Sequence, residues 1–170
     1  MSEVIETNGI TVTNHFDVKG IAIRDLIKQY IPGIPGVYYG FRNLGANDLD
    51  YPCIHIDPMN QKAEMLTLGK YHLFLEYGLF FFVRDNDPES IVTLVTSLAE
   101  SLKKLFSNNA LGDLSTTRSN RFKSYSSYWI NSEMGLLEIS RAFVNATADT
   151  NVRYMRAGLL RLKVEDVVLM

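Results

Sequence analysis

Residues 71–84 read Tyr71-His72-Leu73-Phe74-Leu75-Glu76-Tyr77-Gly78-Leu79-Phe80-Phe81-Phe82-Val83-Arg84. Every odd position from Tyr71 to Val83 is apolar, so a period of two gives an extended strand one unbroken apolar face. The even positions change character along the chain. They begin polar with His72 and Glu76 and end aromatic with Phe80 and Phe82. A strand that starts half solvated and finishes apolar on both faces needs a second cover, either a helix or another subunit.

The cover for one face follows at once. Asp87 is placed to cap a helix, Pro88 suits its first position, and Glu89 complements the helix dipole. Ile91, Leu94, Val95, Leu98, Leu102, Leu105 and Phe106 then recur as one stripe, with Glu100 and Lys104 four apart on the solvated side. Upstream, the spacing of Val18, Ile23, Leu26, Ile27 and Tyr30 predicts a first helix over 17–30 with Asp17 as its cap. Gly20 weakens its first turn, and Pro32-Gly33 ends it. Pro35-Gly36 turns the chain into an extended piece, Val37 to Phe41.

Two further strands are expected at Pro52–Asp57 and Lys62–Leu68, and two more, Met134–Val144 and Gly158–Val168, close the chain. The order is α-β-β-β-β-α, a long connection, then β-β. It predicts one α+β domain over residues 1–170, with long loops at about 42–51, 107–128 and 145–156.

Bulk properties narrow the function classes. The 170 residues suffice for one core, and 46% hydrophobic with 21% charged residues is ordinary for a globular fold. A net charge of −2 lacks the basic excess of a nucleic-acid binder. No run approaches the roughly 20 apolar residues of a membrane-spanning helix, so no membrane partner is expected. The start, Met1 to Glu6, lacks the pattern of a signal peptide, and the single cysteine, Cys53, has no internal partner for a disulfide. An intracellular origin is the expectation.

A search for chemistry finds little. Cys53, His55 and Asp57 alternate on one expected strand and so share a face, which invites a nucleophile or a metal site. Neighbours along one strand face are poorly placed as a nucleophile and base, and His15 and His72 stand apart. The bland reading is a small buried cysteine beside a polar pair. The aromatic run 77–83 faintly matches an RNA-recognition strand, but Glu76 stands where a basic residue is required. No phosphate-binding glycine loop or nucleophile elbow is present, and Glu133 and Glu138 fall on opposite strand faces. No catalytic residue, cofactor or metal is assigned.

The long connection is more informative. It interleaves Phe122, Tyr125, Tyr128 and Trp129 with Arg118, Arg121 and Lys123, the residue types that dominate interface energetics. A solvated surface loop is the bland alternative. A DNA contact through three positive charges would be weak and salt-sensitive.

The amphipathic first helix, Tyr51-Pro52-Cys53-Ile54-His55-Ile56, the apolar strand ending Val83-Arg84-Asp85, the helix over 87–106 and the late strands around a large loop together resemble the tail terminator (tail completion) proteins of long-tailed bacteriophages. The resemblance spans about 17–168 and rests on element order and hydrophobic texture. It implies a mixed, mainly antiparallel sheet with two helices packed on one face. It also implies a virion structural protein, assembled in the host cytoplasm, that forms a ring, usually a hexamer, on the tail tube. Such a ring stops tube growth and joins the tail to the head connector or stopper protein, with DNA passing through its lumen. The expected contact residues are Phe80, Phe82, Arg118, Arg121, Phe122, Tyr125, Tyr128, Trp129, Arg153 and Arg156, with the loops 108–128 and 145–156 directed at tube or connector. The length of the 107–128 connection departs from the family pattern. The rival readings are another neck component, a small enzyme using Cys53 and His55, and a binding module holding a ligand between sheet and helix.

Overall fold

A computed structural model describes residues 4–7, 10–42, 50–106, 129–139, 143–146 and 152–169. The chain opens with a hairpin of β1 (Val4–Thr7) and β2 (Ile10–Thr13), followed by α1 (His15–Tyr30) and β3 (Gly36–Tyr39). Then come β4 (Cys53–Thr67), β5 (Lys70–Asp85), α2 (Pro88–Phe106), β6 (Trp129–Ile139), β7 (Phe143–Ala146) and β8 (Val152–Leu169). The main sheet runs β3-β4-β5-β8-β6, with β7 also on β8. Among the described residues β3 and β4 pair in parallel and the other pairs are antiparallel, so the sheet is mixed and the class is α+β.

The strand quoted above is the middle of this sheet. Its odd residues Leu75, Tyr77, Leu79, Phe81 and Val83 join one buried cluster with Ile54 and Ile56 of β4 and Leu160, Leu162 and Val164 of β8. Ile23, Leu26 and Ile27 of α1 and Ile91, Val95, Leu98 and Leu102 of α2 complete it. Tyr77 is wholly buried, and its hydroxyl donates to the Phe16 carbonyl at 2.9 Å, so the one polar atom on that row is satisfied.

Several expectations change. The cap of α1 is Asn14, whose side chain accepts from the Asp17 amide at 3.2 Å; Asp17 lies inside the helix and accepts from the Tyr39 hydroxyl at 2.8 Å. On α2, Asp87 does cap, accepting from the Ser90 amide at 2.9 Å, but Leu94 is 39% exposed and Ala99 takes its place in the buried stripe. Glu100 pairs with Lys103 at 2.8 Å rather than with Lys104.

The strands at 52–57 and 62–68 are one. Pro58 lacks an amide hydrogen, but the last β3–β4 pair is Tyr39 with Ile56 and a register shift follows between Pro58 and Asn60, so no ladder bond is lost. Thr67 then pairs with Lys70 across a tight turn in which Gly69 takes a φ of 76°.

Strand β8 begins at Val152, so Arg153 and Arg156 belong to a strand and not to a loop over 145–156. Their neighbours supply the reason: Val152 to Met155 pair with β7, and Tyr154 to Ala157 pair with the end of β5. The loop residues 43–49 and 107–128 lie outside the described residues. No helix among the described residues is long and apolar enough to cross a membrane.

Gly20 has a packing role. A Cβ there would run into the ring of Tyr39, which the Asp17 hydrogen bond holds over the helix. Alanine in a helix interior ordinarily gains about 1 kcal/mol over glycine. Here the clash, on the order of 1–3 kcal/mol, outweighs it. Gly20→Ala is therefore expected to lower the urea midpoint, and Gly20→Ala combined with Tyr39→Ala to lose less than the two single changes add to.

Candidate partner interface

The even residues of β5 define the sheet's second face, and its two halves differ. In the first half, Phe82, Phe80 and Gly78 stand opposite Cys53, His55 and Asp57 of β4 and opposite Ala157, Leu159 and Arg161 of β8. The chain covers this half itself. Gly40, with φ of 83°, turns the end of β3 across the sheet, and its amide donates to the Ile56 carbonyl at 2.8 Å. Phe41 then lies 5.2 Å from the His55 ring and 4.9 Å from Phe80. Tyr38 and Phe82 close the cage at 5.5 and 5.4 Å from His55.

His55 is wholly buried inside these four rings. Its Nδ1 accepts from the Arg42 amide at 3.3 Å, whereas Nε2 is buried without a partner among the described residues. Burial, and then the positive charge of Arg42, hold its pKa below the usual 6.5. Cys53 is also fully buried. Desolvation pushes its thiol up to about 11 against the opposing pull of Arg84, which stacks 4.5 Å from the Tyr51 ring. A thiol held that high is neither a nucleophile nor a ready metal ligand near neutral pH. Asp57 shares the face as the alternation requires, but no group of three or more His, Cys, Asp or Glu side chains suited to a metal ion exists among the described residues.

The second half of the face is charged and open. Asn60, Lys62 and Glu64 of β4 stand opposite Glu76, Phe74 and His72, with Lys163 and Glu165 beyond on β8. Lys62 meets Glu64 at 2.6 Å, His72 meets Glu165 at 3.4 Å, and Arg161 meets Glu76 at 3.6 Å. Asn60, Lys62, Glu64, Phe74, Glu76, Lys163 and Glu165 line a groove of about 430 Å³. Beyond Ile56, every side chain of β4 from Pro58 to the turn residue Leu68 is exposed, and Leu68 is 99% exposed. The outer stretch of β4 thus runs exposed to an apolar tip of Met65, Leu66 and Leu68.

Against this geometry, Phe80 is half-buried and Phe82 only 7% exposed, both packed within their own chain. That leaves less aromatic surface for a neighbour than alternation alone suggests. Arg156 stands opposite Val83 and so belongs to the other face from Phe80 and Phe82. Arg153 pairs with Asn145 on β7, and Trp129 opens β6 opposite Asp166. Arg118, Arg121, Phe122, Tyr125 and Tyr128 lie outside the described residues. The sequence reading missed the cover of Tyr38, Phe41 and Arg42 and the exposed outer stretch of β4. The apolar residues around Thr67, at Met65, Leu66 and Leu68, were the available signal.

Two measurements check the buried half. Iodoacetamide should label Cys53 in the folded chain at least roughly a hundredfold more slowly than in urea, from the thiolate fraction alone. His55 has a folded pKa below its unfolded value, so the unfolded chain binds the extra proton. Its contribution to stability is whole above pH 6.5 and is lost as pH falls through that value toward the folded one. Unfolding free energy should therefore drop between about pH 7 and pH 5, by at most about 1.4 kcal/mol per unit from this group, and His55→Phe should flatten that drop.

No protein-family model matches the chain, and no curated protein matches it. Among solved structures, the chain is similar to one described as "Virion of native gene transfer agent (GTA) particle", at 8% identity and a TM-score of 0.28, with 86% of this chain and 93% of that chain covered. A likeness that weak carries no functional argument.

Proposed function

We propose that the chain is a virion structural protein that forms a ring on the end of a bacteriophage tail tube, halts tube growth and joins the tail to the head connector or stopper. The observation that carries this reading is the mismatch between sheet and cover. The outer stretch of β4, Pro58 to Thr67, runs past the end of β3 with its side chains in water, an open strand edge among the described residues and an apolar tip. Such edges are liabilities in a solitary protein and contact surfaces in an assembly. The sequence resemblance to tail terminators supports the reading further, with both helices on one face of the sheet and copies of the chain completing a hexamer around passing DNA.

In this reading the chain performs no catalysis. Cys53 and His55, the residues an enzyme would use, are sealed under Phe41 and Phe82, with the thiol held protonated. The partners are copies of itself, the tube protein and the connector, and its place is the neck of the virion, reached by assembly in the host cytoplasm.

The test is to add the purified chain to its cognate tube protein during polymerisation. Electron micrographs should show shorter tubes bearing a six-fold ring at one end only. Tubes of unchanged length without a terminal ring would overturn the proposal. Arg118→Glu with Arg121→Glu should impair joining to heads while leaving Tm unchanged; unaltered joining would remove the 107–128 segment from the account.

A further inference from the structure

Strand β4 outruns β3. The last parallel pair is Tyr39 with Ile56, and from Asp57 to Thr67 the outer edge of β4 meets no strand among the described residues. Two register shifts, between Pro58 and Asn60 and between Met65 and Thr67, bracket a regular run from Asn60 to Met65. Within that run the two charges, Lys62 and Glu64, flank Ala63 on the same face, 2.6 Å apart and largely exposed.

We infer that this edge pairs antiparallel with the same edge of a second copy of the chain, about a two-fold axis at Ala63. In that register Lys62 stands opposite Glu64 of the second copy, and Glu64 opposite its Lys62, so four charges alternate in a square. Opposite charges directly across a strand pair attract, and like charges repel. A two-residue slip puts the axis on Lys62 or on Glu64 and sets like charges face to face. A one-residue slip turns one copy's faces over and sets the charged row against Ala63.

The ends agree with the middle. The antiparallel register lays Leu66, Thr67 and Leu68 of each copy opposite Asn60, Met59 and Pro58 of the other, all of them exposed. Open backbone groups, alternating charge and apolar ends all select the same partner. A lone edge lysine repels strands in general; a lysine matched two residues on by a glutamate admits one strand in one register. The pairing is isologous and closes on itself. It describes subunits free of the tube and does not rest on the ring.

The test uses the full chain. Under mild oxidation Ala63→Cys should give a disulfide-linked dimer at least tenfold faster than Gln61→Cys, because the two copies of residue 61 would lie four residues apart along the strand, roughly 13 Å. Cys53 is buried and does not confuse the readout. In sedimentation equilibrium, Lys62→Glu should raise the dimer dissociation constant about tenfold by reversing both cross-strand pairs, and Lys62→Glu with Glu64→Lys should bring it back to within about threefold of the native value. Equal linking rates at positions 63 and 61, or a charge reversal that the double change fails to rescue, would overturn the inference. A strand captured from another protein in place of the second copy would leave Ala63→Cys unlinked, which also overturns it. A terminal ring on tubes without the Ala63→Cys dimer would sink this pairing alone, and the dimer without the ring would sink only the proposed function.

Discussion

Everything in this fold hangs on β5 being paired on both sides. All 16 of its residues, Lys70 to Asp85, lie opposite β8, and most of them also lie opposite β4. A strand held on both edges has only its two faces left to satisfy. Its odd face is apolar from Tyr71 to Val83, and Leu75 to Val83 join residues of α1 and α2 in the core. Its even face contributes no residue to that core cluster, and among the described residues the shield over its aromatic half comes from the sheet's own margin. The division of the even face into an aromatic half and a charged half follows from that constraint.

The aromatic half shows how a chain covers a sheet without a helix. Gly40 lets the backbone cross the end of β3, and Phe41 and Arg42 then fold down on His55. A histidine is a costly choice at the centre of four rings, because a buried polar atom without a partner costs on the order of 1–3 kcal/mol. Among the described residues one of its two nitrogens has a partner, the Arg42 amide. That bond gives the imidazole a specific job. It fixes the position of the covering segment, which a phenylalanine would hold by contact alone.

The parts of the fold that were legible in the sequence are those whose cause is local. Strand β5 announces itself by alternation, and α2 by Asp87, Pro88 and an apolar stripe within one segment. The misjudged parts depend on distant neighbours. Pro58 looks like a strand break until β3 is known to stop at Ile56, and Arg153 and Arg156 look like loop residues until β7 is known to pair with that stretch. Asp17 looks like the N-cap of α1 until Tyr39, 22 residues on, is known to donate to it, while Asn14 takes the capping position. The surroundings of Phe80 and Phe82 have the same dependence. Phe80 and Phe82 were correctly placed on one face, but their burial depends on Phe41 and His55, which alternation in β5 cannot reveal.

The charged half of the even face is where local pattern and distant pairing meet. Lys62 and Glu64 taken alone are an unremarkable surface pair, and an exposed ion pair of that kind contributes about 0–1 kcal/mol. Their weight comes from standing on an edge that β3 leaves open and that two bulges confine to six regular residues. An open edge offers backbone hydrogen bonds to any extended chain, and its side chains decide which chain is accepted. Here the backbone supplies the attraction and the Lys62–Glu64 alternation supplies the selection, so the surface that would otherwise invite aggregation is limited to a partner with the same charges in the reverse order.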